Sequence, residues 1–147
     1  MKIGLVIYGS INSLSGGYLY DRMLVDHLRS QGDDVQIVSI SNKSYYSNFA
    51  DNWSRRLTEI MNGLDIDLML QDELNHPSLF LLNRKIDRTY PIISIVHHLR
   101  SNESHSSVAN WLYRKTEKMY LNSVDGYIFN SNTTKESVKQ LTDSNMP

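Results

Sequence analysis

The chain of 147 residues has the length of about one domain and a formal net charge of −1. This balance gives no overall field that favours nucleic acid or an anionic membrane. There is no cysteine, which excludes a disulfide framework and cysteine-ligated metal sites. The first apolar run, Lys2 to Tyr8, is too short for a signal peptide. No run approaches the ~20 apolar residues that span a bilayer, so we expect a cytoplasmic protein.

The first half of the chain is predicted to form a strand, a helix and a second strand. Strands are predicted from Lys2 to Tyr8 and from Val35 to Ile40, with a helix from about Tyr18 to Ser30 between them. Gly32 is suited to a left-handed helix stop. We expect the helix to turn these apolar side chains inward: Tyr20, Met23, Leu24 and Leu28. The segment from Ser41 to Asn52 has no clear period and is predicted to be a loop.

The second half continues the alternation. Further helices are predicted over Trp53–Leu64, Ser78–Lys85 and Val108–Asn122, and strands over Asp67–Gln71, Ile92–Val96 and Tyr127–Phe129. The helix Val108–Asn122 is expected to face inward through Val108, Trp111, Leu112, Met119 and Tyr120. Thr133 and Glu136 have the spacing of a capping box for a last helix. The pattern predicts an α/β fold with a Rossmann-like, doubly wound, mainly parallel sheet flanked by helices.

Polar side chains follow two of the predicted strands at the point where each strand ends. In open α/β sheets, ligands bind in the crevice beyond the carboxyl ends of the strands. The candidates are Asp72, Glu73, His97, His98, Arg100 and Glu103. An imidazole can exchange a proton near neutral pH, whereas the carboxylates could bind sugar hydroxyls, pair with Arg100 or be solvated.

Gly16 and Gly17 lie between the first strand and the first helix. Glycines at a helix N-terminus let an anion approach free N–H groups, although the pair can equally form a plain tight turn. The loop carries neither the Gly-x-Gly-x-x-Gly fingerprint nor a phosphate-loop lysine. No third ligand has convincing metal spacing, so no metal is expected. A metal-dependent hydrolase that uses His97, His98 and Asp72 is an alternative.

These motifs resemble the N-terminal domain of GT-B glycosyltransferases of the retaining family 4 type. The resemblance covers essentially the whole chain and depends on order and placement at strand ends. Its carriers are Gly16-Gly17, Gln71 to Ser78, Ile95 to Glu103, Glu117 to Leu121 and Val124 to Ser131 with Thr134.

The resemblance implies that residues 1–147 form one acceptor-side domain and that the donor-binding domain is absent from this chain. Gly16 and Gly17 would approach the donor diphosphate, and His97, or as second choice His98, would reach the transferred sugar. Asp72, Glu73, His98, Arg100 and Glu103 are then expected to contact the acceptor or sugar.

The implied partners are a nucleotide-sugar donor, a sugar, lipid or polysaccharide acceptor, and a donor domain in cis or in trans. Contact with the inner face of a membrane would fit a lipid acceptor, and no cofactor or nucleic acid is expected. Front-face transfer, in which the departing phosphate takes the acceptor proton, needs no protein nucleophile. The alternative is a self-contained, non-catalytic nucleotide- or sugar-binding interaction module.

Overall fold

The computed structural model describes residues 1–12 and 16–142, and for residues 16–18 it describes the backbone alone. Five parallel strands form one sheet in the order β2-β1-β3-β4-β5. The strands are β1 Lys2–Tyr8, β2 Asp34–Ile40, β3 Leu68–Asp72, β4 Ile92–Val96 and β5 Gly126–Phe129. The predicted Rossmann-like, doubly wound α/β class is confirmed, and β4 has the predicted limits.

Helices connect the strands. They are α1 Gly16–Ser30, α2 Tyr45–Asn48, α3 Arg55–Asn62, α4 His76–Leu79, α5 Leu82–Lys85, α6 Ser107–Leu121 and α7 Asn132–Thr142. Gly32 follows α1 with a φ of +89°, which confirms the predicted left-handed stop. Within the described ranges, no helix is long and apolar enough to cross a membrane.

Alternation along the strands divides the core between the two faces of the sheet. On one face, Ile3, Leu5 and Ile7 of β1 pack with Val25 of α1. On the other, a larger cluster joins the sheet to α3, α6 and α7 through Val6, Met69, Val96, Met61, Tyr120 and Val138. Even-numbered residues at the end of β3 and odd-numbered residues after β4 therefore lie on the α1 face.

The predicted inward face of α1 was right for Leu24 and Leu28, which pack against the cluster on the α1 face, and wrong for Tyr20 and Met23. Tyr20 and Met23 are 40% and 64% exposed, whereas Asp21 and Val25 are 0% and 1% exposed. Asp21 shares the inward face with Leu24, Val25 and Leu28, so a carboxylate lies where an apolar side chain was expected.

The inward face of α6 also differs from the prediction. Val108 and Trp111 are 79% and 61% exposed, whereas Tyr120 is fully buried as expected. Glu117, a charged residue that hydrophobic periodicity does not select, is fully buried on the inward face.

The segment from Ser41 to Asn52 is not a plain loop, because it contains α2 and most of a 3₁₀ turn, Phe49–Trp53. Ser44 caps α2 by accepting a hydrogen bond from the N–H of Ser47. The predicted helix Ser78–Lys85 is two short helices, α4 and α5. At α7, the hydroxyl of Ser131 accepts from the N–H of Thr134, so the predicted capping box is wrong about the capping residue.

Asn52 joins these segments. Its side-chain amide donates to the carbonyls of Phe49 and Pro77 at 3.0 and 2.7 Å. Its side-chain oxygen accepts from the N–H groups of Leu81 and Leu82 at 2.8 and 3.2 Å. The residue is fully buried, so each of these bonds forms away from water.

Asn52→Ala should lower the free energy of unfolding by about 2–4 kcal/mol, because it leaves buried backbone groups without partners. Urea unfolding followed by circular dichroism measures the change. Asn62→Ala, at an exposed asparagine that accepts one bond from Asp87, is the matched control and should cost less than about 1 kcal/mol. Equal losses in the two variants would contradict this role.

Candidate functional site

Three titratable side chains converge at the carboxyl ends of β1, β3 and β4. Asp72 ends β3 in line with Leu70, and His97 follows β4 in line with Ile95, so both lie on the α1 face. Asp21 lies one helical turn before Val25 and turns toward the same point. Ligand atoms of Asp21, Asp72 and His97 all lie within 4.8 Å of one another.

The two carboxylates of this cluster are buried in different ways. Asp21 is 0% exposed, and neither of its carboxylate oxygens has a hydrogen-bond partner among the described residues. Burial, with a smaller contribution from the charge of Asp72, raises the pKa of Asp21 to about 7. Asp72 accepts a hydrogen bond from the N–H of Leu74 at 3.0 Å, but burial still raises its pKa to about 6.

His97 is half-buried at the open side of this cluster. The edge of the Tyr20 ring meets the imidazole with a centroid distance of 4.6 Å and an interplanar angle of 79°. Burial lowers the pKa of His97, and the charge of Glu73 opposes this only in part. The Nε2 atom is buried without a hydrogen-bond partner in the described part of the chain. His97 therefore offers a neutral imidazole with an unused nitrogen.

An open pocket of about 340 Å³ adjoins the cluster. Its lining combines apolar, cationic and anionic side chains: Tyr20, Glu73, Leu74, His97, His98, Arg100 and Glu103. At the outer side of the pocket, Oε1 of Glu103 lies 3.7 Å from Nε2 of His98, and Oε2 of Glu103 lies 3.2 Å from Nε2 of His105. The volume is at the lower end of the range for small-molecule sites.

Arg100 lies against a pair of aromatic rings that also contact each other. Its guanidinium carbon lies 5.0 Å from the ring centroid of Tyr45 and 4.9 Å from that of Tyr113. The two ring centroids are only 4.7 Å from each other, so both cation–π contacts come from one side of the guanidinium and leave its other side available for donating hydrogen bonds. Tyr45, an aromatic residue of the segment predicted to be a loop, therefore packs within the domain.

A buried ion-pair network lies behind the pocket. Nδ1 of His76 is 2.9 Å from Oε1 of Glu73, and Nε2 of His76 is 2.9 Å from the hydroxyl of Tyr45. Glu117 completes the group and accepts from the N–H of Ser101 at 3.2 Å. Burial alone would lower the pKa of His76, but the adjacent carboxylates, above all Glu73, leave it raised. Burial and the charge of Glu73 raise the pKa of Glu117.

Most of the candidate residues predicted from the sequence meet at the carboxyl ends of the strands. We call this region the rim; it comprises the pocket and the cluster of Asp21, Asp72 and His97 beside it. Five of them line the pocket, namely Glu73, His97, His98, Arg100 and Glu103, and Asp72 lies beside His97. Gly16 and Gly17 form the start of α1, and Gly16 precedes Tyr20 by one turn, or about 6 Å along the axis. Residues 13–15 and the surroundings of Gly16 and Gly17 lie outside what the structure describes.

His76 and Glu117 lie in motifs that carry the resemblance but were not among the predicted site residues, and Asp21 and the ring pair beside Arg100 were missed. A usable signal existed for Asp21, because residues 21, 24, 25 and 28 have the i, i+3, i+4, i+7 spacing of a buried helix face. No comparable pattern marks Glu117, which meets Glu73 and His76 from a distant segment of the chain.

Comparisons with known proteins assign the chain to no family. No protein-family model matches the chain, and the search of curated proteins found no match. The fold and the rim geometry therefore define a Rossmann-like α/β domain with a polar pocket beyond the carboxyl ends of its central strands.

The raised pKa of His76 gives a pH dependence with a definite sign. Glu73, Glu117 and the hydroxyl of Tyr45 face the imidazole, and the ring of Tyr120 packs beside it. The protonated histidine should stabilise the fold fully below the unfolded-state pKa of about 6.5, and this contribution should be lost as pH rises through the higher folded-state pKa. NMR titration should place the His76 midpoint above about 6.5, and a midpoint below that value would contradict the ion-pair network.

At pH 6, His76→Gln should lower the free energy of unfolding by about 3–5 kcal/mol, because it leaves two buried carboxylates without a cation. His27→Gln, at an exposed histidine of α1, should leave stability within about 0.5 kcal/mol of wild type. Urea unfolding of both variants makes the comparison, and a small loss for His76→Gln would contradict the network.

Proposed function

We propose that this chain is the acceptor-side domain of a retaining glycosyltransferase, which transfers a sugar from a nucleotide-sugar to a glycan, lipid or other acceptor. The observation that carries the proposal is the pocket that joins Glu73, His97, His98, Arg100 and Glu103 at the carboxyl ends of the strands. The order of the motifs along the sequence resembles that of the family, and the pocket has side chains of suitable chemistry for a sugar.

The pocket has the complementary groups that a sugar requires. Each sugar hydroxyl both donates and accepts hydrogen bonds, so it can be met by carboxylates that accept and by a guanidinium that donates. Glu73 and Glu103 provide the acceptors, and Arg100, which two rings contact from one side, provides a donor. The ring of Tyr20 and the side chain of Leu74 provide apolar contact for the carbon face of the ring.

An opposing donor-binding domain accounts for the exposed apolar rim. Leu19, Tyr20 and Met23 of α1 are 52%, 40% and 64% exposed, and Leu74 of the pocket is 54% exposed. Apolar side chains grouped beside a polar pocket are typical of a surface that a partner covers. In the proposal, a second domain supplies the nucleotide site and closes over this rim.

The proposed transfer uses no protein nucleophile. The bond between the anomeric carbon and the leaving phosphate oxygen breaks, the acceptor oxygen bonds to that carbon on the same face, and the phosphate takes the acceptor proton. His97 contacts the transferred sugar through its neutral imidazole. Gly16 and Gly17, at the start of α1, let the donor diphosphate approach free helix N–H groups.

The strand order also favours a second candidate, a self-contained nucleotide-binding module. The order β2-β1-β3-β4-β5 is that of flavodoxin-like folds, which bind a nucleotide at the switch point between β1 and β3. This candidate requires nucleotide affinity in the chain alone. The transferase proposal places that affinity mainly in the opposing domain.

In an assay with a donor-binding domain in cis or in trans, His97→Ala should lower transfer by about tenfold or more, which is ~1.4 kcal/mol in the barrier. The measurement is release of free nucleotide coupled to labelled product. His27→Ala, an exposed histidine on α1, is the matched control and should keep wild-type rates. Near-normal transfer by His97→Ala would contradict the assigned role.

In the isolated chain, saturation-transfer NMR should detect weak binding of simple hexoses and no comparable binding of nucleoside diphosphates. Glu103→Gln should reduce the hexose signal several-fold, because it removes an acceptor from the pocket. Glu136→Gln, at an exposed glutamate of α7 outside the pocket, should not change it. Tight nucleotide binding without hexose binding would favour the second candidate instead.

A further inference from the structure

We propose that Asp21, Asp72 and His97 form a binding site for a divalent cation of the Mn²⁺ or Zn²⁺ type at the floor of the rim. All three proposed ligands are side chains that the structure describes. The inference does not depend on sugar transfer, and its test uses neither sugar nor nucleotide.

The first support is the absence of partners around a fully buried carboxylate. Asp21 is 0% exposed, and both of its oxygens are without hydrogen bonds among the described residues. Nε2 of His97 is buried and without a partner in the same part of the chain. Buried polar atoms are normally hydrogen-bonded, so three such atoms at one rim point to a group that occupies the space between them.

The second support is the spacing of the donors. Protein ligands of Zn²⁺ lie about 2.0–2.2 Å from the ion in tetrahedral geometry, so two donors bound to one ion are about 3.4 Å apart. The donors of Asp21, Asp72 and His97 already lie within 4.8 Å of one another. Drawing the donors together by at most about 1.4 Å, through small side-chain rotations, would bring all three within coordination distance of one ion.

The third support is the chemistry of the set. Carboxylates suit Mn²⁺, and imidazole suits Zn²⁺ and the other late transition ions. The hydrogen bond from the N–H of Leu74 holds one oxygen of Asp72, which orients the carboxylate as outer contacts do in metal sites. Because His97 also borders the pocket, remaining coordination positions would open toward a bound molecule.

Two neighbouring clusters fit a cation less well. In the group of Glu73, His76 and Glu117, both ring nitrogens of His76 already have partners, which are Glu73 and Tyr45. Glu103 with His98 lies at the surface, where the two side chains are 51% and 56% exposed. Solvated groups of that kind bind ions weakly, so the second cluster serves as the control site.

The competing explanation is a proton shared between Asp21 and Asp72, since two adjacent buried carboxylates cannot both stay charged without compensation. The two explanations differ in the effect of Asp21→Asn. A shared proton predicts that this variant is at least as stable as wild type and that metal has no effect. A cation site predicts that metal stabilises wild type alone.

The experiment titrates the chain, first stripped with a chelator, with Mn²⁺ and follows the free-ion signal by electron paramagnetic resonance. Thermal unfolding is recorded with and without Mn²⁺ and Zn²⁺. We expect one Mn²⁺ per chain, displaced by Zn²⁺, and a higher melting temperature with either ion. Asp21→Asn should weaken Mn²⁺ binding by at least about tenfold, or ~1.4 kcal/mol.

Two control variants locate the site. Asp26→Asn changes an exposed carboxylate on the same helix, and Glu103→Gln changes the surface cluster; both should bind Mn²⁺ as wild type does. If Asp21→Asn fails to fold, His97→Asn at a half-buried position replaces it and should show the same loss. Absence of saturable binding, or binding that Glu103→Gln removes and Asp21→Asn retains, would overturn the proposal.

Discussion

The rim is constrained above all by the burial of Asp21 against Asp72 and His97. A carboxylate withdrawn from water without hydrogen bonds costs several kcal/mol unless it is neutralised or paired. Neither of its oxygens has a partner among the described residues, and the charge that raises its pKa further is that of another carboxylate, Asp72. The fold therefore maintains a position that a proton or a cation would satisfy.

Strand alternation and helix phase together create this position. The residues at the ends of β3 and β4 are directed to the α1 face by the same alternation that buries Leu70 and Ile95. The helix then presents Asp21 one turn before Val25, which packs on β1. The position lies beside the switch point of the strand order, where open α/β sheets bind their ligands.

A second polar layer stiffens the opposite side of the pocket. His76 connects Glu73 to Tyr45. Glu73 lines the pocket, and the ring of Tyr45 is one of the two beside Arg100. Glu117 joins the same group from α6 and holds the turn at Ser101. Side chains fixed in this way lose little conformational entropy when they bind, so the pocket is organised before a ligand arrives.

The fold and the outer part of the site could be predicted from local sequence. The buried run Ile92–Val96 and the polar residues after it were sufficient, because parallel strands bring their carboxyl ends to one edge. The prediction turned Tyr20 and Met23 of α1 toward the sheet because both are apolar. The helical spacing around Val25 instead places Asp21 on the inward face. The roles of His76, Glu117 and Asn52 could not be found in this way, because each residue joins segments that are distant in sequence. His76 meets Tyr45, Glu117 meets Ser101 and Asn52 meets Pro77, and periodicity carries no information on such pairs.

The most direct measurement is a crystal structure of the chain grown with Zn²⁺, with anomalous data collected on both sides of the zinc absorption edge. We expect one strong peak about 2.0–2.2 Å from oxygens of Asp21 and Asp72 and from a ring nitrogen of His97. Zinc bound only at Glu103, His98 or His105, or a direct hydrogen bond between the two aspartates with no ion between them, would contradict the role assigned to the rim.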